Sequence, residues 1–131
     1  MGTVVNIQII RSDDNGVRDA EAPAAIDRAM QWFRAVESAC NRFDPSSELR
    51  QLSQQIGRPV PVSDILFEAA RFALAVAEES QGAFDPTVGA TMEQRGFDRE
   101  YQSGTSTASR IRETGTVSYR DVRLDADAKT I

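Results

Sequence analysis

The chain has 131 residues, of which 40% are hydrophobic, and this suits one globular domain or part of one. Its 15 basic and 20 acidic residues give a formal charge of −5, so we expect neither nucleic acid nor a membrane surface as a partner. The chain has no histidine and a single cysteine, Cys40, which excludes Ser-His-Asp and Cys-His catalytic sites, internal disulfides and multi-cysteine zinc sites. Any metal would have to be a hard cation on oxygen ligands, such as Mg²⁺.

The first half of the chain predicts a strand followed by a long helix and a short one. β-branched residues in near alternation indicate a strand over residues 3 to 11. Apolar residues at spacings of three and four then predict a helix over 22 to 41, with Cys40 on its apolar face as a small hydrophobe. Pro45 suits a first helical position, so a shorter helix is predicted from there to about Gln55.

The second half predicts a second long helix and a hairpin. Ser63 is a natural N-cap for a helix over 64 to 81. Alternating apolar residues on either side of Arg120 and Asp121 predict two short paired strands. The predicted fold class is therefore α+β, with a sheet of the N-terminal strand and the C-terminal hairpin covered by the two long amphipathic helices. Because the chain stops in what reads as another strand, we expect it to be part of a longer protein.

The octapeptide from Gly82 to Gly89, Gly-Ala-Phe-Asp-Pro-Thr-Val-Gly, directly follows the second long helix. Gly82 can take the positive φ that ends a helix, and Pro86 is suited to the start of another. Asp85 stands where the N-cap of that new helix belongs. The first-turn N–H groups would form a small electropositive mouth beside the apolar ring of Phe84, suitable for a ligand acceptor group.

A similar tetrapeptide occurs twice, as Phe43-Asp44-Pro45-Ser46 and as Phe84-Asp85-Pro86-Thr87. Two copies do not establish a duplication, because the same helix-break chemistry can arise independently. Each copy nevertheless places an aromatic ring beside a predicted helix start. If the two lie close in space, a ring from one and amide groups from the other would line a single pocket.

Four segments, taken in order, carry a family resemblance. They are Met1-Gly2-Thr3 before a strand, Phe43 followed by Pro45, Ser47, Glu48 and Leu49, the octapeptide Gly82 to Gly89, and Gly96-Phe97. Together they resemble the ApbE family, flavin transferases that attach FMN from FAD to a threonine of a target flavoprotein. The resemblance implies that residues 1 to 131 are the N-terminal portion of an ApbE-like domain, incomplete at the C-terminus, and that this fragment alone is inactive.

The resemblance also implies positions for the cofactor site. Phe43 matches an aromatic position against the isoalloxazine ring, and Met1 matches the methionine of the opening motif. Ala83, Phe84 and Asp85 match the segment that contacts FAD, where we expect Asp85 to meet a donor on the cofactor or to cap the loop. A carboxylate would repel pyrophosphate. The alternative roles are structural: Phe43 as a core residue, Asp85 as an N-cap, and Ser47 with Glu48 as a helix-start cap and its dipole partner.

Departures from the family pattern limit what is assigned to this chain. Ser53 replaces a usual asparagine, and the family's glycine-rich segment would begin just after Ile131. We therefore assign no catalytic residue and no metal ligand here, and expect the Mg²⁺ ligands outside the chain. The predicted partners are FAD and an acceptor flavoprotein carrying a target threonine. The alternative function is a non-catalytic FAD-binding or interaction domain. The compartment stays open, because family members occur both as exported lipoproteins and without a lipid anchor.

Overall fold

The computed structural model describes residues 4–8, 21–100, 103–104, 106 and 117–131. These ranges contain four α-helices, which are α1 (Ala22–Cys40), α2 (Glu48–Leu52), α3 (Asp64–Glu79) and α4 (Gly89–Gln94), and one 3-10 helix (Tyr119–Asp121). Helix α1 packs against both α2 and α3. The buried apolar side chains are Leu66, Phe67, Ala77 and Tyr119. The core therefore lies along α3, with one contribution from the 3-10 helix.

The two long helices confirm the predictions made from apolar spacing. Helix α1 begins with a proline in its first turn and ends one residue before the predicted limit. The Ser63 hydroxyl oxygen accepts a hydrogen bond from the N–H of Leu66 at 3.3 Å, so Ser63 is the N-cap of α3 as expected. None of the described helices combines the length and apolar character needed to cross a bilayer.

Helix α3 ends in a Schellman motif. Gln81 has a φ of 53° and Gly82 a φ of 85°, so both occupy the left-handed region. The Gly82 N–H donates to the Ala77 carbonyl at 2.8 Å and the Gln81 N–H donates to the Glu78 carbonyl at 3.0 Å, which is the hydrogen-bond pattern of that motif. The predicted role of Gly82 in ending the helix is confirmed, although the helix itself stops at Glu79.

Both short helices begin later than predicted. Helix α2 starts at Glu48 with Ser47 as its N-cap, so Pro45 does not occupy a first helical position. Helix α4 starts at Gly89, three residues after Pro86. In each case the aspartate before the proline accepts a hydrogen bond from the backbone N–H of the residue after the proline. This closes a turn, and the helix begins only beyond it.

The predicted α+β fold class is wrong for the described residues, which are mostly helical and contain no strand. Residues 4 to 8 of the predicted N-terminal strand are not in a strand, and Val4 is 93% exposed. The rest of that predicted strand lies outside the described residues. The predicted hairpin is replaced by the 3-10 helix, because Ser118 and Asp121 form a capping box that closes a turn. Among the residues that the structure describes, antiparallel pairing is limited to isolated bridges, which include Pro61 with Thr130 and Asp125 with Thr130.

The segment 117–131 makes contacts at both ends of helix α3. Near the start of α3, Lys129 pairs with Asp64 at 3.0 Å and its ammonium lies 4.9 Å from the centre of the Phe67 ring. Backbone hydrogen bonds between Val60 and Ile131, at 2.9 and 3.1 Å, align this segment with the residues preceding α3. At the other end, Tyr119 lies against the loop that follows α3. Helix α3 is thus fixed at both ends by residues distant in sequence.

Candidate functional site

Asp85 is the centre of the loop between α3 and α4. Its Oδ1 accepts hydrogen bonds from the backbone N–H of Thr87 at 2.8 Å and from the Thr87 hydroxyl at 2.7 Å. Its Oδ2 accepts a hydrogen bond from the backbone N–H of Tyr119 at 3.1 Å. The carboxylate therefore closes its own turn with one oxygen and ties that turn to the 3-10 helix with the other.

These hydrogen bonds favour the ionised form of Asp85. Partial burial by itself would raise the pKa of Asp85, but the hydrogen bonds from the hydroxyl and backbone of Thr87 and from the backbone of Tyr119 outweigh it. The pKa of Asp85 is consequently lower than that of an ordinary aspartate. A fixed negative charge thus lies beside the loop at neutral pH.

The two residues before Asp85 project from a loop that Ser80 holds in place. The Ser80 carbonyl accepts the N–H of Ala83 at 3.1 Å, and the Ser80 hydroxyl oxygen accepts the N–H of Phe84 at 3.1 Å. With its backbone held in this way, the Phe84 side chain is still 46% exposed. The loop therefore presents an aromatic surface next to a fixed carboxylate.

Phe43 lies at the break between α1 and α2 and is half-buried. The Arg42 guanidinium carbon lies 4.7 Å from the centre of the Phe43 ring, in cation–π contact. The same guanidinium donates a hydrogen bond to the carbonyl of Phe97, just beyond α4. Arg50 of α2 pairs with Glu93 of α4 at 4.0 Å. These contacts bring the segment around Phe43 against the helix that follows the octapeptide.

Four of the five predicted cofactor-binding residues lie among the described residues. Ala83, Phe84 and Asp85 lie in one loop, and Phe43 lies in a segment that contacts the end of the helix following that loop. Met1, the fifth predicted residue, lies outside the described residues.

The predicted electropositive mouth at the start of α4 is not formed as expected. The helix begins beyond the octapeptide's Asp-Pro-Thr turn, with Val88 at the N-cap position and no side-chain cap. The Thr87 N–H, which was expected to be free, is already bound by Asp85. Asp85 therefore caps a turn and is not the N-cap of α4.

Ser47 and Glu48 have the structural roles expected of them. The buried Ser47 hydroxyl donates to the Asn41 carbonyl at 2.6 Å and accepts from the Arg50 N–H at 3.2 Å. The Glu48 carboxylate accepts hydrogen bonds from the backbone and hydroxyl of Ser63, which joins the start of α2 to the start of α3. Cys40 is half-buried, and burial together with the nearby Glu48 carboxylate raises the pKa of its thiol, which favours the unreactive protonated form.

Tyr119 and Arg42 are the two site residues that sequence reasoning missed. Tyr119 was assigned to a strand, although the Ser-x-x-Asp pattern from Ser118 to Asp121 is a capping signal that could have placed it in a turn. For Arg42 the sequence holds no comparable signal, because its contact with Phe97 joins segments that only the folded chain brings together.

In the part of the chain that the structure describes, no three or more His, Cys, Asp or Glu side chains are grouped so that they could hold a metal ion.

Comparison with known protein families and solved structures identifies the family of this chain. The model of the ApbE family matches residues 1–131, the whole chain, so the chain belongs to the ApbE family. A solved structure, that of the ApbE protein from Thermotoga maritima, resembles it with a TM-score of 0.63 and 24% sequence identity. The match covers 92% of this chain and 38% of that chain, so this chain spans well under half the length of the Thermotoga protein. No curated protein matches.

Proposed function

We propose that this chain belongs to an FAD-dependent transferase that moves FMN to a threonine of an acceptor flavoprotein, and that residues 1 to 131 supply the flavin-side part of its site. Membership of the ApbE family along the whole chain supports the reaction class. The observation that carries the proposal is the octapeptide loop, in which Asp85 is held by three hydrogen bonds while the adjacent Phe84 ring stays exposed.

The aromatic residues are proposed to contact the isoalloxazine ring. Offset stacking of aromatic rings contributes about 0.5 to 1.5 kcal/mol beyond the burial of area. The Phe84 ring is accessible for such a contact. The Phe43 ring carries the Arg42 guanidinium on one face, so a flavin would stack on the opposite face or replace the guanidinium.

The loop around Asp85 is proposed to supply polar contacts. A carboxylate oxygen has about two acceptor positions. Oδ1 of Asp85 already accepts two hydrogen bonds, whereas Oδ2 accepts one and keeps a position for a donor on the ligand. The backbone of Ala83 and the methionine at position 1 complete the proposed set. The negative charge of Asp85 favours a flavin N–H over the pyrophosphate as its partner.

In the proposed reaction the hydroxyl oxygen of the acceptor threonine attacks the FMN phosphorus of FAD. A new P–O bond forms to threonine, the P–O bond to AMP breaks, AMP leaves with the bonding electron pair, and the hydroxyl proton passes to a base or to water. Positioning of the flavin is the contribution assigned to this chain. No group of three or more metal-ligating side chains lies among the described residues, so the Mg²⁺ ligands are proposed to lie outside them and no step is assigned to them.

FAD titration followed by flavin fluorescence tests the proposed site. We expect wild-type protein to quench FAD fluorescence, and Phe84→Ala and Phe43→Ala each to weaken binding by about threefold to tenfold, the equivalent of the stacking energy. Phe72→Ala is the matched control, because Phe72 is 71% exposed in the middle of α3 and away from the loop. An absence of quenching by the wild-type protein, or equal effects at all three positions, would contradict the proposal.

A non-catalytic FAD-binding domain is the second function that this loop could serve. A transfer assay tests the assignment of catalysis to residues outside this chain. With FAD, Mg²⁺ and an acceptor flavoprotein, we expect the 131-residue chain alone to leave no FMN on the acceptor threonine. Mass spectrometry of the acceptor measures this directly. FMN found on the threonine would overturn the assignment of catalysis to residues outside this chain.

A further inference from the structure

Tyr119 lies beneath the octapeptide loop and contacts it in two ways. Its backbone N–H donates to Asp85 Oδ2 at 3.1 Å, joining residues 34 positions apart. Its ring lies against Gly82, since a Cβ built on that glycine would be 3.4 Å from Cε1 of the ring. The two contacts fall near the two ends of the segment Gly82 to Asp85.

We propose that Tyr119 is a positioning residue for the flavin-side site, acting through its backbone N–H and its ring. The inference rests on the proposed function of the octapeptide loop. Tyr119 itself does not contact the ligand, because its side chain is only 6% exposed and its hydroxyl is fully buried. It acts by fixing the segment that carries Ala83 and Phe84.

The backbone N–H, the ring and the hydroxyl of Tyr119 have different roles. The N–H fixes the Asp85 oxygen that Thr87 does not hold, so without it the carboxylate could rotate about its own turn. The ring supports Gly82, whose positive φ of 85° makes this point of the loop a sharp bend. The hydroxyl has no hydrogen-bond partner among the described residues, so positioning does not depend on it.

The 3-10 helix holds Tyr119 in this place. Ser118 and Asp121 form its capping box, in which the Ser118 N–H donates to the Asp121 carboxylate at 2.9 Å. The Arg120 guanidinium carbon lies 5.1 Å from the centre of the Tyr119 ring and covers part of it. Tyr119, which contacts the octapeptide loop, is therefore itself held in a closed turn and not at the end of a free strand.

The test compares FAD affinity with stability in three variants of the full chain. Tyr119→Ala removes the ring and is expected to weaken FAD binding by at least about tenfold. Tyr119→Phe keeps the ring and should restore wild-type affinity to within about twofold, the scatter expected for a group that does not interact. Leu66→Ala, at an equally buried position in the core of α3, should lower stability and leave the affinity of the folded protein within the same range.

Circular dichroism confirms that each variant is helical before titration. If Tyr119→Ala does not fold, Tyr119→Leu replaces it, since leucine keeps apolar bulk but lacks the aromatic ring that lies against Gly82. Wild-type affinity in the folded Ala or Leu variant would overturn the inference and leave the proposed function standing. Equal losses in Tyr119→Phe and Tyr119→Ala would also overturn it, because they would assign the effect to the hydroxyl. No quenching by the wild-type protein would overturn the proposed function itself.

Discussion

The turns at Asp44 and at Asp85 have the same local geometry and different surroundings. In each, the aspartate Oδ1 accepts the N–H of the residue after proline at 2.8 Å and the hydroxyl of that residue at 2.7 Å. The turn at Asp44 is closed by these local bonds, whereas Asp85 also binds the distant Tyr119 N–H. The tetrapeptide thus specifies a turn, and a contact from elsewhere in the chain makes one of the two turns part of a site.

The largest expected difference between the turns comes from replacing each aspartate with asparagine. Asp85→Asn places an amide where Oδ2 accepted the Tyr119 N–H, so a charge-assisted hydrogen bond is lost and the free energy of unfolding should fall by about 2 kcal/mol. Asp44→Asn keeps an oxygen for both local donors and should have a much smaller effect. Urea unfolding at pH 7 measures both, and equal losses would show that the bond to Tyr119 contributes nothing to stability.

A smaller effect is expected from the hydroxyl on the other side of this contact. Tyr119→Phe removes a buried hydroxyl that has no hydrogen-bond partner among the described residues, and this should raise the free energy of unfolding by about 1 kcal/mol. Thermal unfolding followed by circular dichroism checks the sign. A clear loss of stability would mean that the hydroxyl is bonded in solution and that the backbone N–H is not the main polar link.

The smallest expected effect is on the loss of stability at acidic pH. Because the folded-state pKa of Asp85 is lowered, its contribution is fully present above the unfolded pKa of about 3.9 and is lost as the pH falls through the folded pKa. The pKa of Asp44 is lowered as well, by the hydroxyl and then the backbone of Ser46. Urea unfolding between about pH 5 and pH 2 should therefore show a shallower acid loss in Asp85→Asn and in Asp44→Asn than in the wild type.

The double variant sharpens this comparison. The two aspartates have separate hydrogen-bond partners. The reduction in the acid loss of stability should therefore be, in the double variant, the sum of the reductions in the two single variants. If the free energy of unfolding of both single variants fell as steeply with decreasing pH as that of the wild type, this would contradict the lowered pKa values. A strongly non-additive double variant would instead show that the two turns are coupled in the folded protein.

Local signals in the sequence were enough to predict the long helices but not the sheet. The apolar stripes, the Ser63 N-cap and the bend at Gly82 all act within a few residues, and each is confirmed. The hairpin at Arg120 and the described part of the predicted N-terminal strand, residues 4 to 8, needed partners that periodicity does not specify. At Arg120 a capping box acting over four residues closed a 3-10 turn in place of the alternating pattern.

In the candidate site, too, the features set by neighbouring residues could be predicted and those set by distant residues could not. The turn at Asp85 could be predicted from its own residues, although its exact relation to α4 could not, because an aspartate before proline can cap a turn or a helix. The Tyr119 N–H and the Arg42 guanidinium could not be predicted, since both reach the site from segments far away in sequence. Whether Met1, Phe43, Ala83, Phe84 and Asp85 contact a flavin stays a prediction.

The attachment of segment 117–131 to both ends of α3 has a consequence for synthesis on the ribosome. The helix and the octapeptide emerge from the exit tunnel well before the residues that fix them, so during translation they lack Lys129 at one end and Tyr119 at the other. A nascent chain stalled when the octapeptide has left the tunnel but residues 117–131 are still inside it should therefore be cut by protease within the octapeptide. One stalled far enough beyond residue 131 to expose that segment should be protected there.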